Sequence, residues 1–154
     1  MRYKVKTILR LVFSILLTQN GVALSQHCKF LKNQEFVSDN SYNIEIGMKG
    51  NSVFVGSRIS DTIISPFNGK VISTVSNLGI GGVSIKTDSG EVIYLTNLNK
   101  IFVSEGQTIV QGTLLGTTLF DDFFNKYILD ISIAKGGKLE RAREGLLFLK
   151  LKCP

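Results

Sequence analysis

The 154-residue chain has no tryptophan, one histidine, two cysteines and two prolines. Each scarcity narrows what the protein can do. A catalytic zinc takes about three protein ligands from His, Cys or carboxylate and keeps a fourth position open; a lone His27 is a poor start for such a set. No Pro-rich linker or low-complexity run divides the chain, so nothing argues for a second domain. No apolar run reaches the roughly 20 residues of a spanning helix. Positive charge is also short: of the formal +6, Arg2, Lys4, Lys6 and Arg10 supply four, and the remaining +2 is too little to infer a nucleic-acid partner. Asp121 and Asp122 are adjacent on a loop-like stretch, without the fixed separation that acid and base roles need. No serine sits in a nucleophile elbow.

What is present begins with an export signature. Four basic residues precede an apolar core at residues 11–17, and Ala23 and Ser25 stand three and one residues before a plausible cut. Residues 1–25 therefore read as a signal peptide that sends the chain to the periplasm or the extracellular space, with a retained short anchor as the alternative. Thr18, Gln19, Asn20 and Gly21 break the apolar stretch and argue against stable membrane insertion. Gln26 and His27 separate the cut from Cys28, against a lipid-modified terminus. In an oxidising compartment Cys28 and Cys153 form an even pair, and a bridge would close a long loop and limit fraying at both ends. Two unpaired thiols are the other reading.

Residues 26–40 form a polar lead in which Cys28, Phe30, Leu31 and Phe36 can turn one apolar side to the body. Residues 41–154 carry short β signals. Tyr42, Ile44 and Ile46 alternate, residues 52–56 read as their hairpin partner, and a strand at 61–65 ends at Pro66. Residues 66–69 are turn language, and a strand resumes at 70–76. Residues 77–82 hold three glycines and read as a loop or bulged rim. Asp88-Ser89-Gly90 joins strands at 83–87 and 91–96, and the run Val92, Ile93, Tyr94, Leu95 suggests burial on both faces, or a strand passing from one sheet into another. Residues 97–99 read as a turn. Residues 104–116, S-E-G-Q-T-I-V-Q-G-T-L-L-G, read as turn, strand and turn, with glycines at 106, 112 and 116. Residues 117–125 look like an inserted loop whose Phe120, Phe123 and Phe124 cover the core. Residues 126–133 alternate, with Tyr127, Leu129, Ile131 and Ile133 on one face and Lys126, Ile128, Asp130 and Ser132 on the other. Leu139 to Glu144 suggests one helical turn, and 146–152 a last strand. The sum is an all-β fold, a single-domain antiparallel sandwich or flattened barrel.

Five segments carry a resemblance: S-P-F-N-G-K-V-I-S-T at 65–74, G-G-V-S-I-K-T-D-S-G at 81–90, Y-L-T-N-L at 94–98, V-S-E-G-Q-T-I-V-Q-G-T-L-L-G at 103–116 and Y-I-L-D-I-S-I at 127–133. Their order and spacing resemble the lysostaphin-like, or LytM, domain of peptidase family M23, a barrel-sandwich hybrid. Lipoyl and biotinyl carriers share the glycine rhythm, but Lys70, the nearest candidate for their attachment lysine, lacks the M-K-M surroundings. In the M23 family an early H-x-x-x-D and the second His of a late H-x-H hold zinc, while the first His of that motif and one in Y-x-H-L assist. Laid on this chain, Asn97 falls at the assisting His, Lys126 and Ile128 at the two positions of H-x-H, and Asp61 stands without its partner, Ser57 occupying that place. The tyrosine of Y-x-H-L is displaced by one residue, with Leu95 at its place.

The resemblance implies a scaffold without its zinc ligands: no metal, no cofactor and no catalysis. It further implies a vestigial groove lined by Asn97, Lys126, Ile128 and Asp130, with residues 77–82 and 117–125 as walls. Degenerate members of the family bind or regulate cell-wall hydrolases or other envelope proteins, and peptidoglycan is a further candidate partner. The alternatives are a structural subunit of an envelope or secretion assembly, which exposure of Phe120, Phe123 and Phe124 would favour, and a residual zinc endopeptidase with relocated ligands such as His27 or Asp61.

Overall fold

The computed structural model describes residues 28–38 and 50–151. They form ten strands and one helix, all strand pairs being antiparallel. The signal segment, Tyr42 to Ile46, His27 and Cys153 lie outside the described residues.

The lead is more ordered than its composition suggests. Cys28, Phe30 and Leu31 are buried in the core, whereas Phe36 is half-exposed. Gln34 folds back to make this possible: its Oε1 accepts from the Phe30 amide at 2.8 Å and its Nε2 donates to the Cys28 carbonyl at 2.9 Å. β1 (Glu35–Ser38) then pairs with β2 (Ser52–Ser57), whose other edge pairs with a long late strand, β9 (Lys126–Lys135).

β3 (Thr62–Ile64) pairs with β8 (Leu114–Asp121), and β4 (Gly69–Asn77) with β5 (Ile80–Thr87). The turn at 66–69 thus carries the chain between strands that do not pair with each other. The expected loop at 77–82 is a two-residue hairpin, Leu78 and Gly79, both at positive φ (50° and 82°), as the twist-matched type I′ turn requires. Gly81 and Gly82 belong to β5, where the pairing with β6 (Val92–Ile101) slips by one residue.

β6 changes partner along its length but stays in one sheet, and its four-residue apolar run alternates, Ile93 and Leu95 being buried and Val92 and Tyr94 only partly so. Residues 92–96 pair with β9, and from Leu98 the same edge pairs with β8. β9 does the reverse, its residues 126–128 pairing with β8 and its later residues with β6. β8 is therefore wedged where β6 and β9 part. Residues 97–99 are not a turn; the strand runs through them with Asn97 at φ 69°. Residues 117–121, expected in a loop, are the second half of β8, and only the four residues after them turn.

The 104–116 segment is stitched to the 65–71 stretch. The Gly106 amide donates to the Val71 carbonyl at 2.9 Å, the Val71 amide to Gln107 at 2.9 Å, and the Gly112 amide to Ser65 at 2.7 Å. Gly106 and Gly112 have φ of 84° and 87° and are true turn glycines. The strand between them, β7 (Thr108–Ile109), is short and pairs with β4. Gly116 is not a turn residue; it lies inside β8.

After β10 (Lys138–Leu139) the chain ends its described part in α1 (Ala142–Leu151), where a strand was expected. Ala142, Leu146 and Leu149 recur at i, i+4 and i+7 and meet the core, while Leu147 is 46 % exposed. Glu144 near the start and Lys150 near the end suit the helix dipole. The Cys28 amide donates to the Leu149 carbonyl at 2.9 Å, tying the lead to this helix.

Candidate functional site

The strand divergence opens a pocket of about 320 Å³. Its floor is the solvent-side face of β9, Ile128 and Asp130. Phe54 of β2 and Thr96 of β6 stand opposite Asp130 in the ladders on its two sides. Asn97 closes one end. Ile80, from the β4–β5 hairpin, Asp121, at the end of β8, and Phe124, in the turn to β9, form the walls. Three of the four expected groove residues thus meet in one cavity, as do members of both expected walls. Lys126 does not line it: its Nζ lies 3.1 Å from Glu35 Oε1 on β1. Asp61 and Ser57 are also elsewhere, the Ser57 hydroxyl donating to the Lys32 carbonyl at 2.7 Å.

Asn97 sits at the junction of three strands. Its Nδ2 donates to the Ile128 carbonyl at 2.8 Å, and its own carbonyl lies 2.8 Å from the Thr118 hydroxyl. That hydroxyl also reaches the Ile128 carbonyl. With a single hydrogen it serves one carbonyl at a time, and the asparagine amide supplies the second donor the junction needs. Asparagine is one of the few residues with a side chain that tolerates positive φ. Replacing Asn97 by Ala removes the amide donor and leaves a Cβ residue at φ 69°. We expect about 1–3 kcal/mol of destabilisation in urea unfolding, with Asn97→Gly recovering the backbone part only.

Asp130 is partly buried, and its Oδ1 is shielded from solvent without a partner. Burial raises its pKa above the usual carboxylate value; the hydroxyls of Ser52 and Thr96 beside it offset part of that rise. The folded state therefore holds this proton to higher pH than the unfolded chain does. Its contribution is neutral below the unfolded pKa and becomes a penalty as pH rises through the folded one. Asp130→Asn is expected to raise the midpoint of thermal unfolding at pH 7 by a few degrees, with the gain disappearing below about pH 4. An unchanged or lower midpoint at pH 7 would contradict this reading of the pocket.

The three phenylalanines do not cover the core. Phe123 is 88 % and Phe120 45 % exposed, and Phe124 is intermediate with its edge against the Phe123 ring. Across the pocket mouth, Leu78 at the hairpin tip is 97 % and Ile80 54 % exposed. Phe54 and Thr96 were missed by sequence reasoning. Their places depend on which strand lies beside which, and no local pattern signals that.

A zinc of the M23 kind does not fit this cavity. At the position that the sequence resemblance gives to the late ligand stands Ile128, buried and without a donor atom. At that of the assisting histidine stands Asn97, whose amide nitrogen is already engaged. Among the described residues no three His, Cys, Asp or Glu side chains come together as a metal site.

The fold has clear relatives among solved structures. Lysostaphin shares it with a TM-score of 0.59 at 14 % identity, over 81 % of this chain and 56 % of that one. A zinc-containing peptidase from Vibrio cholerae matches with a TM-score of 0.59 at 17 % identity, over 84 % of this chain and 41 % of its own. The catalytic domain of EnpA, an M23 protein encoded by a prophage of Enterococcus faecalis, matches with a TM-score of 0.59 at 17 % identity, over 76 % of this chain and 95 % of that domain. The chain thus spans about half or less of the first two, and almost all of an isolated M23 catalytic domain. No family model and no curated protein matches the sequence. The architecture is that of the lysostaphin and LytM peptidase domains, an all-β antiparallel fold.

Proposed function

We propose that this chain is a non-catalytic envelope module that binds a cell-wall hydrolase or another envelope protein through the cavity between β6, β8 and β9. The observation that supports this is the use of Asn97 and Ile128. Where the peptidases it resembles place histidines, one residue locks a strand junction and the other gives an apolar floor. Export through residues 1–25, a location in the periplasm or outside the cell, and peptidoglycan as a further ligand belong to the same reading. No helix of the described residues is long and apolar enough to cross a membrane. A bridge between Cys28 and Cys153 completes it, supported by the bond from Cys28 to Leu149, four residues before Cys153. Mass spectrometry without reductant that found two free thiols would remove the bridge.

Affinity capture of the protein from the envelope of its own host tests the function. Ile128→Glu is expected to reduce recovery of the partner at least tenfold, and because a carboxylate at a position 4 % exposed also costs stability, its urea midpoint is measured beside the capture. Stoichiometric zinc together with peptidoglycan cleavage lost on changing Asp61 or His27 would favour a hydrolase instead. A second reading, a structural subunit of an envelope assembly, is favoured by the exposure of Phe120 and Phe123. It predicts a partner lost with Phe123→Ser and retained with Ile128→Glu.

A further inference from the structure

We infer that the cavity beside Asp130 receives the ammonium-tipped side chain of a lysine, presented by a partner protein on a segment with apolar residues on either side. The inference rests on the reading that this groove binds a protein, and it names what the groove selects.

Charge is the first reason. The cavity is lined by two carboxylates, Asp121 and Asp130, and by no cation. The nearest lysine on the same strand face, Lys126, is held by Glu35 at 3.1 Å. Asp121 Oδ1 already accepts from the Phe124 amide at 3.0 Å, so its turn is fixed in place before any ligand arrives. Asp130 has one shielded, unpartnered oxygen, so its charge gains most from a cation at the other.

Shape and polarity are the second. Phe54, Ile80 and Ile128 give an apolar passage to those carboxylates, which matches a four-carbon stem ending in a point charge. An ammonium has three donors, and the Asp130 carboxylate and the hydroxyl of Thr96, its neighbour in the β6 ladder, are acceptors side by side in the lining, with Asp121 adding a second negative charge to the same cavity. A divalent metal would want more oxygen ligands than this wall offers. Leu78 and Phe123, close in sequence to the lining residues Ile80 and Phe124, stand exposed, and apolar neighbours of the lysine would cover them.

The test uses uniformly 15N-labelled full chain at pH 7, titrated with acetyl-Leu-Lys-Phe-amide and with the same peptide carrying norleucine in place of lysine. The lysine peptide is expected to shift the amides of Thr96, Asn97 and Asp130 and to bind about tenfold tighter than the norleucine peptide. Asp130→Asn, expected to be at least as stable as the parent, should abolish that preference, so that the two peptides bind within about twofold of each other. Equal affinity of the two peptides at the cavity would overturn the lysine inference while leaving the groove as a protein-binding site. Shifts confined to other surfaces would overturn both. Shifts at the cavity from a soluble peptidoglycan fragment but from neither peptide would also overturn it, as would concentration-dependent shifts there without any peptide, which would make a second copy of this chain the occupant.

Discussion

Gly116→Ala should destabilise the protein by about 3 kcal/mol, enough to remove much of the stability of a domain this size. The glycine lies in β8 between β3 and β6, paired with Ile63 and Ile101. The β6–β8 ladder slips between Leu98 and Lys100, and that irregularity brings the Lys100 carbonyl across the glycine. A Cβ at 116 would stand 2.1 Å from the carbonyl oxygen. The obstacle is backbone held in a ladder, so it cannot swing away as the end of a side chain could. The smaller unfolded-state entropy of alanine returns about 0.4–1 kcal/mol, far less than the clash costs. Gly145→Ala is the contrasting case. Its Cβ would meet Val53 at 3.6 Å, an ordinary contact, and it lies within α1. There the substitution should be neutral or stabilising by up to about 1 kcal/mol. Chemical denaturation of the two variants beside the parent separates close approach from a general intolerance of alanine.

Gly116 also shows where the sequence is legible and where it is not. The glycine rhythm of 104–116 marks the segment that laces β4, β6 and β8 together, yet it cannot say which glycine turns the chain and which lets another strand come near. Alternation is readable wherever one face is wet: Leu129, Ile131 and Ile133 were assignable to the core, and Ile128 and Asp130 to the other face, from period two alone. It fails where polar residues go inside. Thr118 is buried at the strand junction and Thr117 Oγ1 is buried without a partner, so a strand interior reads as loop. It fails again at 146–149, where four apolar residues in succession have no period that favours strand over helix. Asn97 misleads for a third reason: asparagine at positive φ is turn chemistry, used here inside a strand that changes partners.

The candidate site divides along the same line. Asn97, Ile128 and Asp130 were placed together by a resemblance in spacing, and the ladders bring them to one cavity. Lys126 was placed with them by the same resemblance, but a side chain that long follows the nearest carboxylate. That carboxylate is Glu35, on a strand the polar lead gave little reason to expect. The Lys126 side chain is only 14 % exposed while Glu35 is 46 % exposed, so Lys126→Ala should lower stability by about 1 kcal/mol through lost packing of the stem and should leave the pocket unchanged.

Two neighbours on β9 separate scaffold from site. Leu129 is 0 % exposed and belongs to the core cluster, opposite Val55 in the β2 ladder. Truncation to alanine leaves a cavity among residues that cannot collapse into it, and about 3 kcal/mol of destabilisation is expected. Ile128 is 4 % exposed but lies outside that cluster, its Cδ1 over the bare backbone of Gly56 and its face toward the pocket. Ile128→Ala opens onto a space that water can already enter, so we expect about half the loss or less, together with a larger cavity beside Asn97. Urea unfolding gives the two free energies. If the losses are equal, Ile128 is simply core and the groove has no separate floor. If Leu129→Ala costs much more, the variant at 128 is the one in which binding can be changed without unfolding the protein.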